Sequence, residues 1–338
     1  MRKKYLTLLA CPKCHGDLEI ATIRHMDKQR IESGDLVCGR CGAIYEIVAF
    51  IPRFVPTNNY ATSFGLEWAR HRKTQYDTNT GLALSEQRFF EETKWDRNLR
   101  GERILEVGSG SGRFTEQAAR TGALVVSMDY SDAVDVNHEM NGHRQNVLVI
   151  QGDIYAMPFK RMIFDKLFCM GVLQHTPDPF RAFMSLLPYV RDGGNIVIDV
   201  YKRTMDVYLS LKYYVRRFTK NMAPERLYRL TRRYVDFLWP FCSLMRRIPK
   251  IGRMINWAVL VADHSNRGLK GEILKEWAYL DTFDMLSPKY DHPQTLRTVN
   301  RWFLKAGLHD IEVQYGYNGI EGRGRVIRSV DHRGGVVS

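Results

Sequence analysis

Two groups of residues in this 338-residue chain have the types and spacing to do chemistry. The first is Glu106-x-Gly108-x-Gly110-x-Gly112, with Ser109 between the first two glycines and Arg113 directly after the third. It follows an apolar run at 103–107 and precedes a helical pattern that continues through Ala119. A strand, a sharp glycine turn and a helix N-terminus together make the usual place where an α/β sheet holds a nucleotide-like ligand. The spacing departs from the G-x-G-x-x-G that seats a pyrophosphate on a helix N-terminus. An acid two residues ahead of the first glycine repels phosphate and suits a ligand with cationic groups. The second group is Cys11-x-x-Cys14 with Cys38-x-x-Cys41. Each knuckle brings two thiolates to one side of a tight turn, and two facing knuckles complete a tetrahedron with no open position. That geometry reads as structural zinc, whose binding would supply the folding energy of so small a module. The alternative, a pair of disulfides, fits poorly with a cytoplasmic chain. Cys169 and Cys242 lie in apolar contexts and read as small core residues.

The elements that must position the glycine turn follow in order. Residues 125–129 form a second strand ending in Asp129, seventeen residues after Gly112. An acid about 20 residues past such glycines can bond both ribose hydroxyls. Residues 147–154 give a third strand and 164–175 a fourth, and Gly193-Gly194 turns the chain into a fifth at 195–201. A helix at 180–189 begins after Pro177-Asp178-Pro179. After Tyr201 this rhythm stops, and the chain to about 280 is helical, aromatic and basic. Leu227, Leu230, Tyr234 and Leu238 recur there at helical spacing, with arginines between them. The core resumes with a helix at 293–306, and 310–315 and 324–328 fit a last antiparallel hairpin at the sheet edge. The expected fold is α/β: a seven-stranded Rossmann-like sheet, an N-terminal zinc ribbon, and a helical insertion after strand five. The boundaries fall at 1–56 for the ribbon, 57–100 for a helical cap over the cofactor site, 101–201 for the cofactor-binding core, 202–290 for the insertion and 291–338 for core completion.

Composition agrees. Hydrophobic residues make up 44% and aromatics 12%, which excludes wholesale disorder. The longest uncharged, largely apolar run, 254–262, has nine residues against the roughly 20 of a membrane span. The start of the chain is basic, but its apolar stretch is too short for a signal peptide, so a cytoplasmic protein is expected. Net charge is +13, and it is concentrated: residues 202–253 hold fourteen basic side chains against three acids, leaving +2 for everything else.

The glycine turn and the four later strand ends resemble, in register over 101–201, the class I S-adenosylmethionine-dependent methyltransferases. The resemblance implies that Glu106 receives the methionyl ammonium, directly or through water, with Gly108, Ser109, Gly110 and Gly112 forming the turn against the cofactor. It puts Asp129 on the ribose with Tyr130 beside it, Asp153 on the adenine with Ile154 beside it, and Met170 near the methionine. Arg88 or Arg113 would pair the cofactor carboxylate. Acceptor chemistry falls to His175 as candidate base, to Tyr201 at the end of strand five, and to Asp281, Asp284, Tyr290, Asp291 and His292 on the returning segment. The residues around the cysteines, with Tyr45 and the stretch Ile51-Pro52-Arg53-Phe54, resemble the small zinc-ribbon family that activates some tRNA and release-factor methyltransferases. Phe64-Gly65-x-x-Trp68, Thr74-Gln75-Tyr76-Asp77 and the stretch 171–179 resemble a bacterial group of ribbon-fused methyltransferases associated with surface-glycan or other secondary biosynthesis.

The basic insertion admits three readings. It can be a lid on its own domain, a membrane-surface or lipid-substrate contact through 202–260 at the inner face of the membrane, or a nucleic-acid surface. Its many aliphatic residues favour the first two over nucleic acid, while the ribbon pulls toward RNA. The expected partner is thus a small-molecule, glycan or lipid-linked acceptor. An RNA methyltransferase and a pseudoenzyme scaffold are the competing functions.

Overall fold

The computed structural model describes residues 1–56, 61–203, 211–248 and 251–328. The ribbon sheet runs in chain order, β1 (Leu18–Asp27), β2 (Arg30–Cys38), β3 (Ile44–Val48) and β4 (Ile51–Pro52), all antiparallel. Three helices follow, α1 (Thr62–Arg70), α2 (Asp77–Thr80) and α3 (Leu84–Thr93). The core then alternates β5 (Arg103–Val107), α4 (Arg113–Arg120), β6 (Leu124–Asp129), α5 (Ala133–Asn141), β7 (Val147–Gln151), β8 (Phe164–Met170), α6 (Pro179–Leu186) and β9 (Val190–Val200). The insertion is α7 (Leu211–Thr219), α8 (Pro224–Met245), α9 (Ile251–Ala258) and α10 (Gly271–Leu286). The chain closes with α11 (Leu296–Lys305), β10 (His309–Gly316) and β11 (Gly319–Arg325).

The main sheet has the order β10-β11-β9-β8-β5-β6-β7. Strands β5 to β9 are parallel, β11 runs antiparallel to β9, and β10 antiparallel to β11. From β5 the chain steps to one side through β6 and β7, then returns to the other through β8. That reversal opens a crevice at the carboxyl ends of the strands, beside the glycine turn. The parallel strands are largely buried, most completely in β7, because helices cover both faces, as a parallel sheet requires.

The ribbon is joined to this sheet by packing and by hydrogen bonds. Leu9, Ile31, Leu36 and Ile47 share one apolar cluster with Leu148, Ile150 and Phe159. The Phe54 N–H donates to the Gln151 carbonyl at 2.9 Å, and Arg53 Nη1 donates to Gln151 Oε1 at 2.8 Å. Arg53 also pairs with Asp135 at 2.5 Å. The ribbon's last residues therefore cover the β7 edge, which would otherwise be an open row of backbone groups.

Two readings of local sequence need correction. The last strand is Gly319–Arg325, several residues earlier than the 324–328 expected. Its glycines read as poor strand formers, yet they are needed there: a Cβ on Gly322 would lie 2.6 Å from the Phe303 ring. The stripe Leu227, Leu230, Tyr234 and Leu238 is buried only at its ends, with Leu238 packed in part against the insertion's apolar cluster. Leu227, Thr231, Val235 and Cys242 are buried, whereas Leu230 and Tyr234 are exposed. The helix carries apolar residues on two adjacent faces, and only packing against α10 and the 259–261 segment selects one of them.

Candidate active site

The crevice is a cavity of about 660 Å³ whose walls come from the glycine turn, the strand ends, α1, α3, α7, α10 and the 316–319 turn. The glycine turn is made by backbone that other residues cannot follow. Gly108 has φ +80°, and a Cβ there would sit 2.1 Å from Val172. Asp129 fixes the turn from the next strand: its Oδ2 accepts the Gly110 N–H at 2.8 Å, and its Oδ1 accepts the Ser131 N–H at 2.8 Å. Burial raises the Asp129 pKa, against the pull of these hydrogen bonds.

Of the residues expected to meet the cofactor, Gly108, Ser109, Gly110, Arg113, Asp129, Tyr130, Ile154, Met170 and Arg88 line this cavity. Glu106, Gly112 and Asp153 do not. Glu106 is buried under the turn, where its Oε2 accepts from Thr115 Oγ1 and, at 2.7 Å, from Ser127 Oγ. Burial pushes its pKa up to about 7. Glu106 stands beneath the loop rather than in the cavity wall. Gly112 caps α4 with its φ at +90°. Asp153 is turned into the 153–156 turn, where Oδ1 accepts the Tyr155 N–H at 2.9 Å, while its neighbours Gly152 and Ile154 reach the cavity wall.

The two arginines offered for a carboxylate are now distinguishable. Arg88 already holds two acids, Glu92 at 2.6 Å and Asp199. Arg113 has no carboxylate within 4.0 Å among the described residues; its guanidinium lies 4.4 Å from the Phe114 ring centroid. Desolvation, and then the nearby Arg88, lowers its pKa to about 10. Asp281 offsets this only in part and from beyond ion-pair distance, so a largely desolvated cation in the cavity wall is placed to meet an anion from a ligand.

The opposite half of the cavity carries titratable groups from five separate segments of the chain. His175 Nδ1 lies 3.0 Å from the Tyr290 carbonyl. A carbonyl can only accept, so Nδ1 carries the proton and Nε2 is the basic nitrogen. Phe64 and Tyr201 flank the imidazole at 5.4 and 5.3 Å between centroids. Tyr201 donates to Asp284 at 3.0 Å, and His264 Nε2 contacts Asp281. The three acids are driven apart electrostatically. Burial raises Glu67 well above the carboxylate range, and Asp284 and Asp281 push it the same way. Burial and Asp281 also raise Asp284, although His175 and Lys212 oppose them. For Asp281, burial is outweighed by His264, Arg267 and Arg113, which hold it below its ordinary range.

Of the expected acceptor residues, His175, Tyr201, Asp281 and Asp284 line the cavity, whereas Tyr290, Asp291 and His292 are not among its lining residues. Asp291 lines a smaller neighbouring cavity and is paired with Lys212 at 2.7 Å, so its charge is already answered. The sequence reading missed Glu67 and His264. Glu67 sits inside the Phe64-to-Trp68 stretch that was singled out, but nothing in a helical run marks one acid as inward. His264 lies between two helices, with no local pattern to find it.

In the ribbon, all four sulfurs of Cys11, Cys14, Cys38 and Cys41 lie within 4.8 Å of one another, and all are free thiols. Zinc–sulfur bonds of about 2.3 Å set tetrahedral sulfurs about 3.8 Å apart. Cys11–Cys41 and Cys14–Cys38 are separated by 3.6 and 3.5 Å. The donor set fits a structural metal. Tyr45 Oη is 3.2 Å from the Cys11 sulfur and supports it from behind.

Comparison with known proteins agrees with this geometry. Residues 105–198 match the methyltransferase domain family, and residues 2–48 match the Trm112p-like protein family. Residues 105–198 are thus a methyltransferase domain of the α/β type described, carried behind a Trm112p-like domain with a four-cysteine cluster. A ubiquinone biosynthesis O-methyltransferase of Coxiella burnetii is 29% identical over 146 residues, 42% of this chain and 59% of that one. One from Xylella fastidiosa is 28% identical over 149 residues, 42% of this chain and 57% of that one. The chain therefore spans little more than half the length of these relatives. A solved complex of the Haloferax volcanii Trm112 methyltransferase activator with a putative methyltransferase has 11% identity and a TM-score of 0.46, covering 78% of this chain and 97% of that chain.

Proposed function

We propose that the protein transfers a methyl group from S-adenosylmethionine to a hydroxyl of a small-molecule, sugar or lipid-linked acceptor. The observation that carries this reading is the two-sided cavity. One half offers Asp129, the glycine turn and Arg113; the other offers His175, its Nδ1 on the Tyr290 carbonyl, beside Glu67, Asp281 and Asp284. When bound, the cofactor supplies a methyl group on a sulfonium, already a good leaving group. Asp129 would hold the ribose and Arg113 the methionyl carboxylate, with Asp281 the ionised acid available to the ammonium. His175 Nε2 takes the proton of the acceptor hydroxyl as the new bond forms. Alignment of acceptor and methyl in one closed site supplies most of the acceleration. Zinc on the four cysteines is structural, since a closed tetrahedral site leaves no position for a reacting water. The match to ubiquinone O-methyltransferases supports oxygen as the acceptor atom.

Calorimetry with S-adenosylmethionine tests the reading. Micromolar binding that Gly108→Val weakens at least a hundredfold is expected; no binding at millimolar cofactor would leave only the scaffold. The Trm112p-like ribbon favours an RNA acceptor as the second reading. Methyl incorporation into total RNA that falls steeply with salt would select it.

A further inference from the structure

We propose that the outer face of α8, with the adjoining flanks of α7 and α9, docks on an anionic lipid bilayer. Leu230, Tyr234, Phe237, Phe241 and Leu244 are spaced alternately four and three residues apart, which places them on one face of the helix. All five are exposed, Phe237 to 82%. The helix is held mainly by the buried Leu227, Val235 and Cys242 on the adjacent face, with Tyr234 adding a hydrogen bond from its hydroxyl to the Val259 carbonyl at 2.5 Å. Phe218 of α7 is 79% exposed and Met254 of α9 is 69% exposed. Among the described residues, eleven of the nineteen exposed large apolar side chains lie between 211 and 254. A concentration of this kind marks an interaction surface.

Charge decides what covers it. Arg217, Lys220, Arg226, Arg229 and Arg233 lie among these apolar positions, and none of them forms an ion pair among the described residues. The acids nearby are Glu225 and Asp236, and Asp236 is already held by Lys275 at 2.7 Å. A second copy of the chain would bring arginines against arginines with almost nothing to offset them. An anionic surface accepts both parts: aromatic and aliphatic groups enter the headgroup region while arginines meet the lipid phosphates. No helix of the described residues is long and apolar enough to cross a membrane, so the contact lies on the surface. The same helix joins this face to the cavity. Lys212 and Tyr213 of α7 line the cavity, whereas Leu211, Tyr214 and Phe218 point outward and are exposed. An acceptor carried in the bilayer would then reach the methyl-transfer site from the docking side. The docking itself stands whether or not the methyl-transfer reading does.

The test is co-sedimentation of the full chain with vesicles of phosphatidylcholine containing about one third phosphatidylglycerol, and with phosphatidylcholine alone. Binding to the anionic vesicles is expected to fall at least tenfold in Phe237→Glu/Phe241→Glu and in Arg226→Gln/Arg229→Gln/Arg233→Gln. Circular dichroism melting should not change in either variant, because the substituted side chains are exposed. Equal binding to neutral vesicles, or full binding by both variants, would overturn the proposal. So would a dimer by light scattering that Phe237→Glu dissolves, which would give the face to a second copy. Binding of single-stranded RNA without vesicle binding would give it to nucleic acid.

Discussion

In the sheet, β7 buries all five of its residues and β5 four of five; α8 buries four of twenty-two, although half of its side chains are large and apolar. The two regions also differ in charge, since the insertion carries nearly all of the net positive charge of the chain. A buried strand owes its apolar residues to the core. A helix that keeps phenylalanines in water beside unpaired arginines is holding them for something else. The ribbon belongs with the sheet: it is small and metal-dependent, yet its inner face is continuous with the core.

The sharpest way to break that grouping is to remove the metal. Chelation, or Cys14→Ser, should unfold the ribbon, uncover the β7 edge and lower the melting temperature by well over 10 °C, because structural zinc contributes on the order of 10 kcal/mol to such modules. Elemental analysis should find one zinc per chain. A melt indifferent to chelator would detach the ribbon from the sheet.

The next effect contrasts the two faces of α8. Leu227→Ala should cost about 2–5 kcal/mol in denaturant unfolding, as expected for a buried leucine, whereas Phe237→Ala should stay within about 0.5 kcal/mol. Similar costs for both would mean that the outer face is packed after all.

Within the cavity, His175→Ala should slow methyl transfer at least tenfold, about 1.4 kcal/mol in the barrier, with cofactor affinity unchanged. Unaltered turnover would take His175 out of the chemistry.

The smallest effect is a pH slope. Glu106 is raised by burial from 4.5 to about 7, so the fold prefers its protonated form. Its contribution to stability is fully present below pH 4.5 and is lost as pH rises through 7. Glu106→Gln should therefore melt higher than the parent at pH 8 and level with it near pH 4.5. A constant difference across that range would deny the shift.

Much of the fold was legible because its signals are local. The strand ends, the glycine turn and the paired cysteines each depend on residues a few positions apart, where turn geometry and side-chain type are directly coupled. The misplaced last strand and the wrong face of α8 share one cause. Glycines that admit Phe303, and a helix apolar on two faces, take their meaning from neighbours far along the chain.

The sequence by itself determined the cofactor turn, the metal cluster, the order of the parallel strands and the concentration of positive charge. Tertiary structure alone decided that Arg113 and not Arg88 is left unpaired, that Glu106 lies beneath the loop, and that Glu67, His264 and Asp284 meet His175 across one cavity. A turn is specified by its own dihedrals and adjacent side chains. Charge pairing and burial are specified by what packs against what, and in this chain those partners come from α1, β9 and α10, segments far apart along the chain.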